Sequence, residues 1–365
     1  MSEGAQRAGS LEAASRRVYL QPVLRTRGCA PPGDHSVLAV KGTALAFAAA
    51  VLIERDGRRI RRVITPAADL AARGLVPAEL LARLSAPLAD VAGRGSDRPR
   101  LVGVINVTPD SFSDGGRYLT GKAAIAHGLR LADEGADILD IGGESTRPGS
   151  KPLDVAAELA RVLPVIEGLR GKTRARLSID TRNALTMRRA AQAGVDLIND
   201  VSALTHDPAS LATAAATGLP VVLMHSQGTP ETMQLDPTYD DVVLDVYDAL
   251  ERRILACEAA GVARSRLIVD PGIGFGKTLA HNLALLDALS IFHGLGCAVM
   301  LGASRKSFIG QLCGAEAAER LPGSLAAALM GVEAGVEFLR VHDVAATRQA
   351  IAVWEGVRGA ASSRS

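Results

Sequence analysis

Polar and ionisable side chains recur at the carboxyl ends of short apolar runs after residue 100. The runs are LVGVIN, DILDIGG, RLSID, DLIND, VVLMH, LIVDPG, AVMLG and FLRVHD. The residues taken as their ends are Asn106, Asp140, Asp180, Asn199, His225, Asp270, Gly302 and His342. Any one of them could be a paired structural residue. Because buried polar groups destabilise a fold unless they are paired, the whole set predicts a ligand site.

The pair Asp180 and Asn199 favours a flat heterocycle with an amide edge as the ligand. A carboxylate can accept two hydrogen bonds from an amino group and a ring N–H, and a carboxamide both donates and accepts. Asp270, in DPGIGFGK, adds a second carboxylate. Helix capping is the alternative role for Asp180, which directly precedes Thr181.

Cationic residues follow the last two runs. Arg340 and His342, in RVHD, lie on one side of a strand because side chains alternate, and together they predict an anion clamp. GASRKS begins a helix, so Ser304, Arg305 and Lys306 are expected at a helix N-terminus, which favours anions or ligand carbonyls. Phosphate sites recur at this place in α/β barrels.

Two long polar loops follow the first two runs. VINVTPDSFSDGG contains Asp110 and Asp114, and it exceeds the usual length of a connection between a strand and a helix. DIGGESTRPGS brings Glu144, Thr146 and Arg147 to the same end, where Arg147 could bind an anion in bidentate fashion. Long loops of this kind are typical of active-site covers. The alternatives are an ordinary turn and a solvated arginine.

The alternation of apolar runs with amphipathic stretches predicts the elements that position these residues. Continuous apolar strands alternating with helices indicate an α/β fold with a parallel sheet covered on both faces. Eight such units fit a (β/α)8 TIM barrel, whose active site lies at the carboxyl ends of the strands. Helices are predicted from Asn183 to Ala193 and from Asp241 to Gly261.

The first hundred residues do not follow this rhythm. In them, VLIER and RRIRRVI flank Asp56-Gly57, which predicts a β-hairpin, and a helix is expected to begin near Pro77. No catalytic group stands out, so the expected role is structural, as a lid, plug or interface element. The predicted segments are a disordered N-terminus (1–18), a small extension (19–98), the barrel (101–359) and a disordered tail (360–365).

Composition excludes several classes of protein. The 365 residues include 41 basic and 39 acidic side chains, a formal net charge of +2, which argues against a broad nucleic-acid surface. The four cysteines form no CxxC motif, so neither zinc nor a disulfide framework is expected. The longest early apolar run, from Thr43 to Ile53, is too short to span a membrane. We therefore expect a cytoplasmic enzyme with no membrane partner.

Five motifs carry a specific family resemblance. NVTPDSFSDGG, GGESTRPG, DPGIGFGK, GASRKS and RVHD, in this order, resemble the dihydropteroate synthases, and the resemblance covers about Leu101 to Gly359. It implies a transferase that condenses 6-hydroxymethyl-7,8-dihydropterin diphosphate with p-aminobenzoate, giving 7,8-dihydropteroate and pyrophosphate for folate biosynthesis. It also implies a homodimer formed through the later barrel helices. Residues 19–98 depart from the family, because a minimal member lacks them.

The resemblance further implies roles for individual residues. Asn106 helps to hold Mg2+ with the diphosphate, which Arg340 and His342 clamp with Thr146 nearby. The candidate catalytic residues are Asp114, Arg147 and Lys306. The pterin-binding set is Asp180, Asn199, Asp270 and Lys306, with Met224 and Phe275 packing on the ring. The p-aminobenzoate region is Phe112, Arg147, Pro148 and Ser307. The arylamine attacks as the neutral base, and its proton could pass to Asp114 or Asp110.

Two other functions remain open at this point. One is a pterin-dependent methyltransferase domain, which would have little use for NVTPDSFSDGG and RVHD. The other is a catalytically inactive paralogue that binds pterin. The presence of all the expected site residues weighs against such decay.

Overall fold

An antiparallel sheet and two short helices precede the barrel. The elements of this extension are β1 (Arg17–Arg27), β2 (Leu38–Ala39), β3 (Leu45–Asp56), β4 (Arg59–Pro66), α1 (Ala67–Ala72) and α2 (Ala78–Ser85). The long strand β3 pairs with β1 along one edge and with β2 and β4 along the other. The sequence predicted the hairpin β3–β4 and the helix after Pro77, whereas β1 and α1 were not foreseen.

The turn of the hairpin lies one residue later than predicted. Asp56 pairs with Arg59, so the connecting residues are Gly57 and Arg58 rather than Asp56 and Gly57. Gly57 has a φ of 57°, a left-handed conformation that glycine adopts without steric strain. A glycine at the first connecting position suits a two-residue turn, and this preference fixes the register.

Eight parallel strands then close into a barrel. This architecture is seen in a computed structural model that describes residues 16–27, 38–40, 45–85, 91–92, 98–107, 117–144, 153–229 and 232–362. The strands are β5 (Arg100–Asn106), β6 (Ile138–Gly142), β7 (Arg176–Asp180), β8 (Leu197–Asp200), β9 (Val221–Met224), β10 (Leu267–Asp270), β11 (Ala298–Leu301) and β12 (Phe338–Val341). Because β12 pairs with β5, the sheet is closed, and the predicted (β/α)8 barrel is confirmed.

Helices surround the barrel in alternation with the strands. They are α3 (Arg117–Asp133), α4 (Val155–Leu169), α5 (Ala184–Ala193), α6 (Ser210–Thr217), α7 (Val242–Ala259), α8 (Leu279–Asp287), α9 (Ser307–Cys313), α10 (Leu321–Glu333) and α11 (Val344–Ser362). The predicted helices α5 and α7 are confirmed to within two residues. The Asp241 side chain accepts hydrogen bonds from the Val243 and Leu244 amides, which explains why α7 begins there.

Apolar side chains fill the amino-terminal end of the barrel. Ile138 and Phe338, both fully buried, pack there in one cluster with residues of the other strands. Val91 and Ala92 belong to the same cluster, so the last part of the extension plugs this end. The predicted role of a plug fits this segment of the extension.

The rest of the extension packs against the outside of the barrel. Tyr19 of β1 meets Tyr247 of α7 edge to face, with ring centroids 5.2 Å apart. The Ser290 hydroxyl, in the 3-10 helix Leu289–Leu295, donates to the Pro22 carbonyl. β1 begins at Arg17 and α11 reaches Ser362, so ordered structure extends a few residues into both segments predicted as disordered. Arg17 is held there by its ion pair with Glu251.

Two negative predictions concern the described part of the chain. Within it, no helix is long and apolar enough to cross a membrane. Among the described residues, Cys257, Cys297 and Cys313 are in no disulfide, and Cys29 lies outside the described residues.

Candidate active site

One guanidinium joins two carboxylates at the centre of the barrel. Arg340 lies on β12, and its Nε donates to Asp140 Oδ2 at 2.7 Å while an Nη donates to Asp180 Oδ2 at 2.8 Å. Asp140 is fully buried, and the side chains of Asp180 and Arg340 are 10% and 23% exposed. Since the guanidinium has further N–H donors, this arrangement can still bind a ligand anion.

Asn199 belongs to the same network. Its Nδ2 donates to Asp140 Oδ2 at 2.9 Å, so Asp140 receives bonds from both Asn199 and Arg340. The sequence had identified Asp140 only as a strand end and gave it no role. The missed signal was a charged residue between Leu139 and Ile141, because a carboxylate inside an apolar strand needs buried partners.

Asp270 and Lys306 also lie close to Arg340. A side-chain carbon built on Gly302 would lie 3.6 Å from Asp270 Oδ2, 3.9 Å from Lys306 Nζ and 3.8 Å from Arg340 Cβ. These three groups therefore surround the backbone of Gly302, at the end of β11. Five predicted site residues (Asp180, Asn199, Asp270, Lys306 and Arg340) thus meet at the carboxyl end of the barrel.

Burial controls the ionisation of these groups. Burial raises the pKa of Asp180 to about 7, with Asp140 acting in the same direction and the Arg340 guanidinium acting against both. Burial lowers the pKa of Lys306 to about 8, although the Asp270 carboxylate opposes this shift. Burial also raises the pKa of Asp270. Near neutral pH the site can therefore change its charge at Asp180 and Lys306.

Met224 and Phe275 line one pocket, next to Lys306. Met224 ends β9 and is 5% exposed, and the Phe275 ring lies 4.6 Å from Lys306 Nζ. Lys306 also donates to the Ile273 carbonyl. Gly272, with a φ of 69°, passes so close to the His225 carbonyl that a side-chain carbon would lie 1.9 Å from its oxygen. This close approach is why glycine is needed there.

The GASRKS segment differs from its predicted role. Arg305 has a φ of 58°, a conformation that costs about 1–2 kcal/mol for a residue other than glycine. Its guanidinium forms a bidentate pair with Asp343, and Ser304 Oγ lies 3.1 Å from His342 Nδ1. Arg305 and Ser304 are therefore engaged by Asp343 and His342, whereas Lys306 lies beside Asp270 and Phe275. Ser307 is exposed at the start of α9.

His342 follows β12 and is partly exposed. Its ring is oriented by Ser304, while the Arg340 guanidinium is held by two carboxylates. The two residues are thus anchored to different partners, and their joint action as an anion clamp stays a prediction.

Glu144 is a structural anchor rather than an exposed group at the mouth. Its carboxylate forms a bidentate pair with Arg182 at 2.9 and 2.8 Å, and also accepts the Leu153 amide. The side chains of Glu144 and Arg182 are 6% and 9% exposed. Six predicted site or loop residues lie outside the described residues: Asp110, Phe112, Asp114, Thr146, Arg147 and Pro148.

Sequence reasoning also missed a buried lysine. Lys277 is 3% exposed, and its Nζ lies 3.0 Å from His225 Nδ1 and donates to the Phe275 carbonyl at 2.9 Å. Burial lowers the pKa of Lys277 to about 7 and that of His225 to about 3. The sequence placed His225 among the strand ends of the site. In the structure it stays neutral, and its contact with Lys277 joins the loop after β9 to the loop after β10.

Asn106 ends β5 and is partly exposed, as expected for a residue at the mouth. Within the described part of the chain, no group of three or more His, Cys, Asp or Glu side chains could hold a metal ion.

Comparison with known proteins identifies the chemistry that this geometry serves. A sequence model of the pterin-binding enzymes matches residues 102–342. The dihydropteroate synthase of Escherichia coli (strain K12) is 45% identical over 266 residues, which are 73% of this chain and 94% of that protein. The chain belongs to the dihydropteroate synthase family of pterin-binding enzymes. Membership makes it a transferase of folate biosynthesis.

Solved structures of this family share the fold. The Xanthomonas albilineans dihydropteroate synthase with 4-aminobenzoic acid is 51% identical, with a TM-score of 0.70, and the match covers 74% of this chain and 98% of that one. The same enzyme in complex with 7,8-dihydropteroate is 49% identical, with a TM-score of 0.67, covering 74% and 99%. The family assignment rules out the methyltransferase alternative.

Proposed function

We propose that the barrel mouth condenses 6-hydroxymethyl-7,8-dihydropterin diphosphate with p-aminobenzoate and releases pyrophosphate. The observation that carries this proposal is the convergence of Asp180, Asn199, Asp270, Lys306 and Arg340 on one hollow. The two carboxylates accept from the amino and ring N–H groups of the pterin, and Asn199 and Lys306 serve its acceptor atoms. Met224 and Phe275 pack on the ring.

The reaction needs positioning and charge more than a strong base. The bond between the methylene carbon and the diphosphate oxygen breaks, and the oxygen leaves with the electron pair. The neutral arylamine nitrogen forms the new C–N bond and then loses its proton. Asp180 and Asp270, when ionised, favour the positive charge that develops on the pterin. Arg340 and His342 bind the departing diphosphate.

Mg2+ fits this site as an ion that arrives with the diphosphate. A Mg2+ ion bound by one or two protein oxygens together with substrate phosphates is common, and the amide oxygen of Asn106 is a suitable ligand. The lack of an acidic cluster among the described residues agrees with such a shared ion rather than with a resident one. The ion would neutralise charge on the leaving group.

Residues of the first two loops and of α9 complete the proposed site. Thr146 lies near the diphosphate, while Phe112, Arg147, Pro148 and Ser307 form the p-aminobenzoate region. Asp114 is a candidate acceptor for the arylamine proton. When both substrates are bound, these loops exclude water, which would otherwise capture the pterin cation.

A homodimer through the later barrel helices is part of the proposal. Exposed apolar side chains support it: Met330 on α10 is 45% exposed, and Val353 and Val357 on α11 are 65% and 66% exposed. Sedimentation should give twice the monomer mass, and Val353→Glu combined with Val357→Glu should shift it to the monomer. A wild-type monomer at micromolar concentration would overturn this part. A cytoplasmic location, in which thiols such as Cys257 and Cys297 stay reduced, is also part of the proposal.

A pyrophosphate-release assay tests the function directly. Purified protein with Mg2+ and the dihydropterin diphosphate should release pyrophosphate only when p-aminobenzoate is present, with dihydropteroate formed in equal amount. A protein that binds 6-hydroxymethylpterin but releases no pyrophosphate would instead be the inactive paralogue.

A further inference from the structure

The N-terminal extension is attached to α7 by several ion pairs. Four of its arginines pair with acidic residues of α7 or just before it: Arg17 with Glu251, Arg55 with Asp245, Arg62 with Asp241, and Arg83 with Glu251. The family match begins at residue 102, so the whole extension lies outside it.

Arg55 contacts Asp245, which is hydrogen-bonded to the loop before α7. Its Nη1 donates to Asp245 Oδ1 at 2.7 Å, and the two side chains are 18% and 25% exposed. The other oxygen of Asp245 accepts the backbone amides of Asp240 and Asp241 at 2.9 and 3.2 Å. Arg55 therefore orients the carboxylate that closes the loop before α7.

Tyr239, which directly precedes Asp240 in this loop, contacts the wall of the pterin site. The Tyr239 hydroxyl donates to the Gly276 carbonyl at 2.7 Å. Gly276 directly follows Phe275, whose ring faces the Lys306 ammonium. A continuous path of hydrogen bonds and short backbone segments thus runs from Arg55 through Asp245 and Tyr239 to Phe275.

We propose that Arg55 of the extension is a positioning residue for the Phe275 loop, acting through Asp245 and Tyr239. The ligand affected is the pterin, so this inference rests on the proposed function. Phe275 contacts the ring equally before and during the reaction. If Phe275 is displaced, the bound substrate and the transition state lose the same binding energy. KM therefore rises and kcat is unchanged.

The test compares two arginines of the same interface. Arg55→Met should raise KM for the dihydropterin diphosphate by roughly three- to tenfold, within the range of coupling through packed side chains, with kcat within about twofold of wild type. Arg83→Met is the matched control. It breaks the pair with Glu251 at 3.2 Å, which lies roughly two turns beyond Asp245 along α7 and away from Tyr239, so it should leave KM unchanged.

A double-mutant cycle tests the path itself. Tyr239→Phe should raise KM by a similar factor. The variant with both Arg55→Met and Tyr239→Phe should have a KM no higher than that of the single variant with the higher KM. Amide hydrogen exchange of residues 272–276 should accelerate in Arg55→Met and not in Arg83→Met. Arg55→Lys, which keeps one charged contact with Asp245, should restore most of the affinity.

Several results would overturn the proposal. They are an unchanged KM in Arg55→Met, an equal rise in Arg83→Met, and independent, multiplying effects in the double variant. If Arg55→Met does not fold, Tyr239→Phe compared with Arg83→Met tests the same path, and an unchanged KM in Tyr239→Phe would overturn the proposal. Binding of 6-hydroxymethylpterin by calorimetry gives the affinity without turnover. A wild-type protein that binds this pterin but makes no dihydropteroate would therefore refute the proposed function and leave the positioning test valid.

Discussion

Replacing Arg340 by methionine should destabilise the protein in a pH-dependent way. The guanidinium is the shared partner of Asp140 and Asp180, at 2.7 and 2.8 Å. Its removal leaves two buried carboxylates without a cation, and breaking a buried pair in this way costs about 3–5 kcal/mol. Methionine matches the stem of arginine as far as Nε, so the packing of the stem is kept and the loss comes mainly from the missing guanidinium.

The pH dependence follows from the pKa of Asp180. In the wild type this pKa is raised from 3.8 to about 7. Between these pH values the folded state holds a proton on Asp180 that the unfolded state has lost. The free energy of unfolding therefore falls as pH rises toward 7. Without Arg340 the pKa of Asp180 rises further, and this fall continues beyond pH 8. At about 1.36 kcal/mol per pH unit and proton, the destabilisation should grow by roughly 1.4 kcal/mol from pH 6 to pH 8.

Urea unfolding of the wild type and of Arg340→Met at both pH values measures this effect. Arg264→Met is the control, because Arg264 also forms a bidentate pair, with Glu258. Glu258 is 36% exposed, so that pair should contribute at most about 1 kcal/mol. A loss below about 1 kcal/mol in Arg340→Met, or an equal loss at pH 6 and pH 8, would refute the assigned role of Arg340.

The remaining predictions concern activity. Asp180→Ala and Asp270→Ala should each lower kcat/KM by about 100-fold or more, as loss of a charged hydrogen bond to the pterin implies; steady-state rates near those of the wild type would contradict the pterin pocket. The affinity for 6-hydroxymethylpterin, measured by calorimetry, should increase as pH rises through about 7, because Asp180 must be ionised to accept from the ring; no change between pH 6 and pH 8 would contradict this. Above about pH 8, kcat/KM should decline as Lys306 loses its proton, and a flat profile up to pH 9.5 would exclude a need for the ammonium. Chelation of Mg2+ should weaken binding of the diphosphate substrate far more than that of the pterin alone, and equal effects on both would count against a shared ion.

The active-site residues on the strands were predictable because a barrel converts sequence order into position. Each apolar run delivers its last residues to the same rim, so Asp180, Asn199 and Asp270 could be grouped without coordinates. The hairpin and the helix after Pro77 were also predictable, because the residue preferences of turns and helix starts are local.

The roles of Arg305, Glu144 and His225 could not be read in this way. Each is a polar residue beside a motif, and each is engaged by a distant partner: Asp343, Arg182 and Lys277. A sequence gives the types of such residues but not the partners that the fold brings to them.

The sequence by itself determined the barrel, the rim that carries the chemistry and the family, because apolar periodicity and local motifs depend on neighbours along the chain. Only the tertiary structure decided that Asp140 joins Arg340 to Asn199, that Arg55 of the extension pairs with Asp245, and that Tyr239 donates to Gly276. These contacts link residues far apart in sequence, and their energies depend on burial and on distances that arise only when the chain has folded.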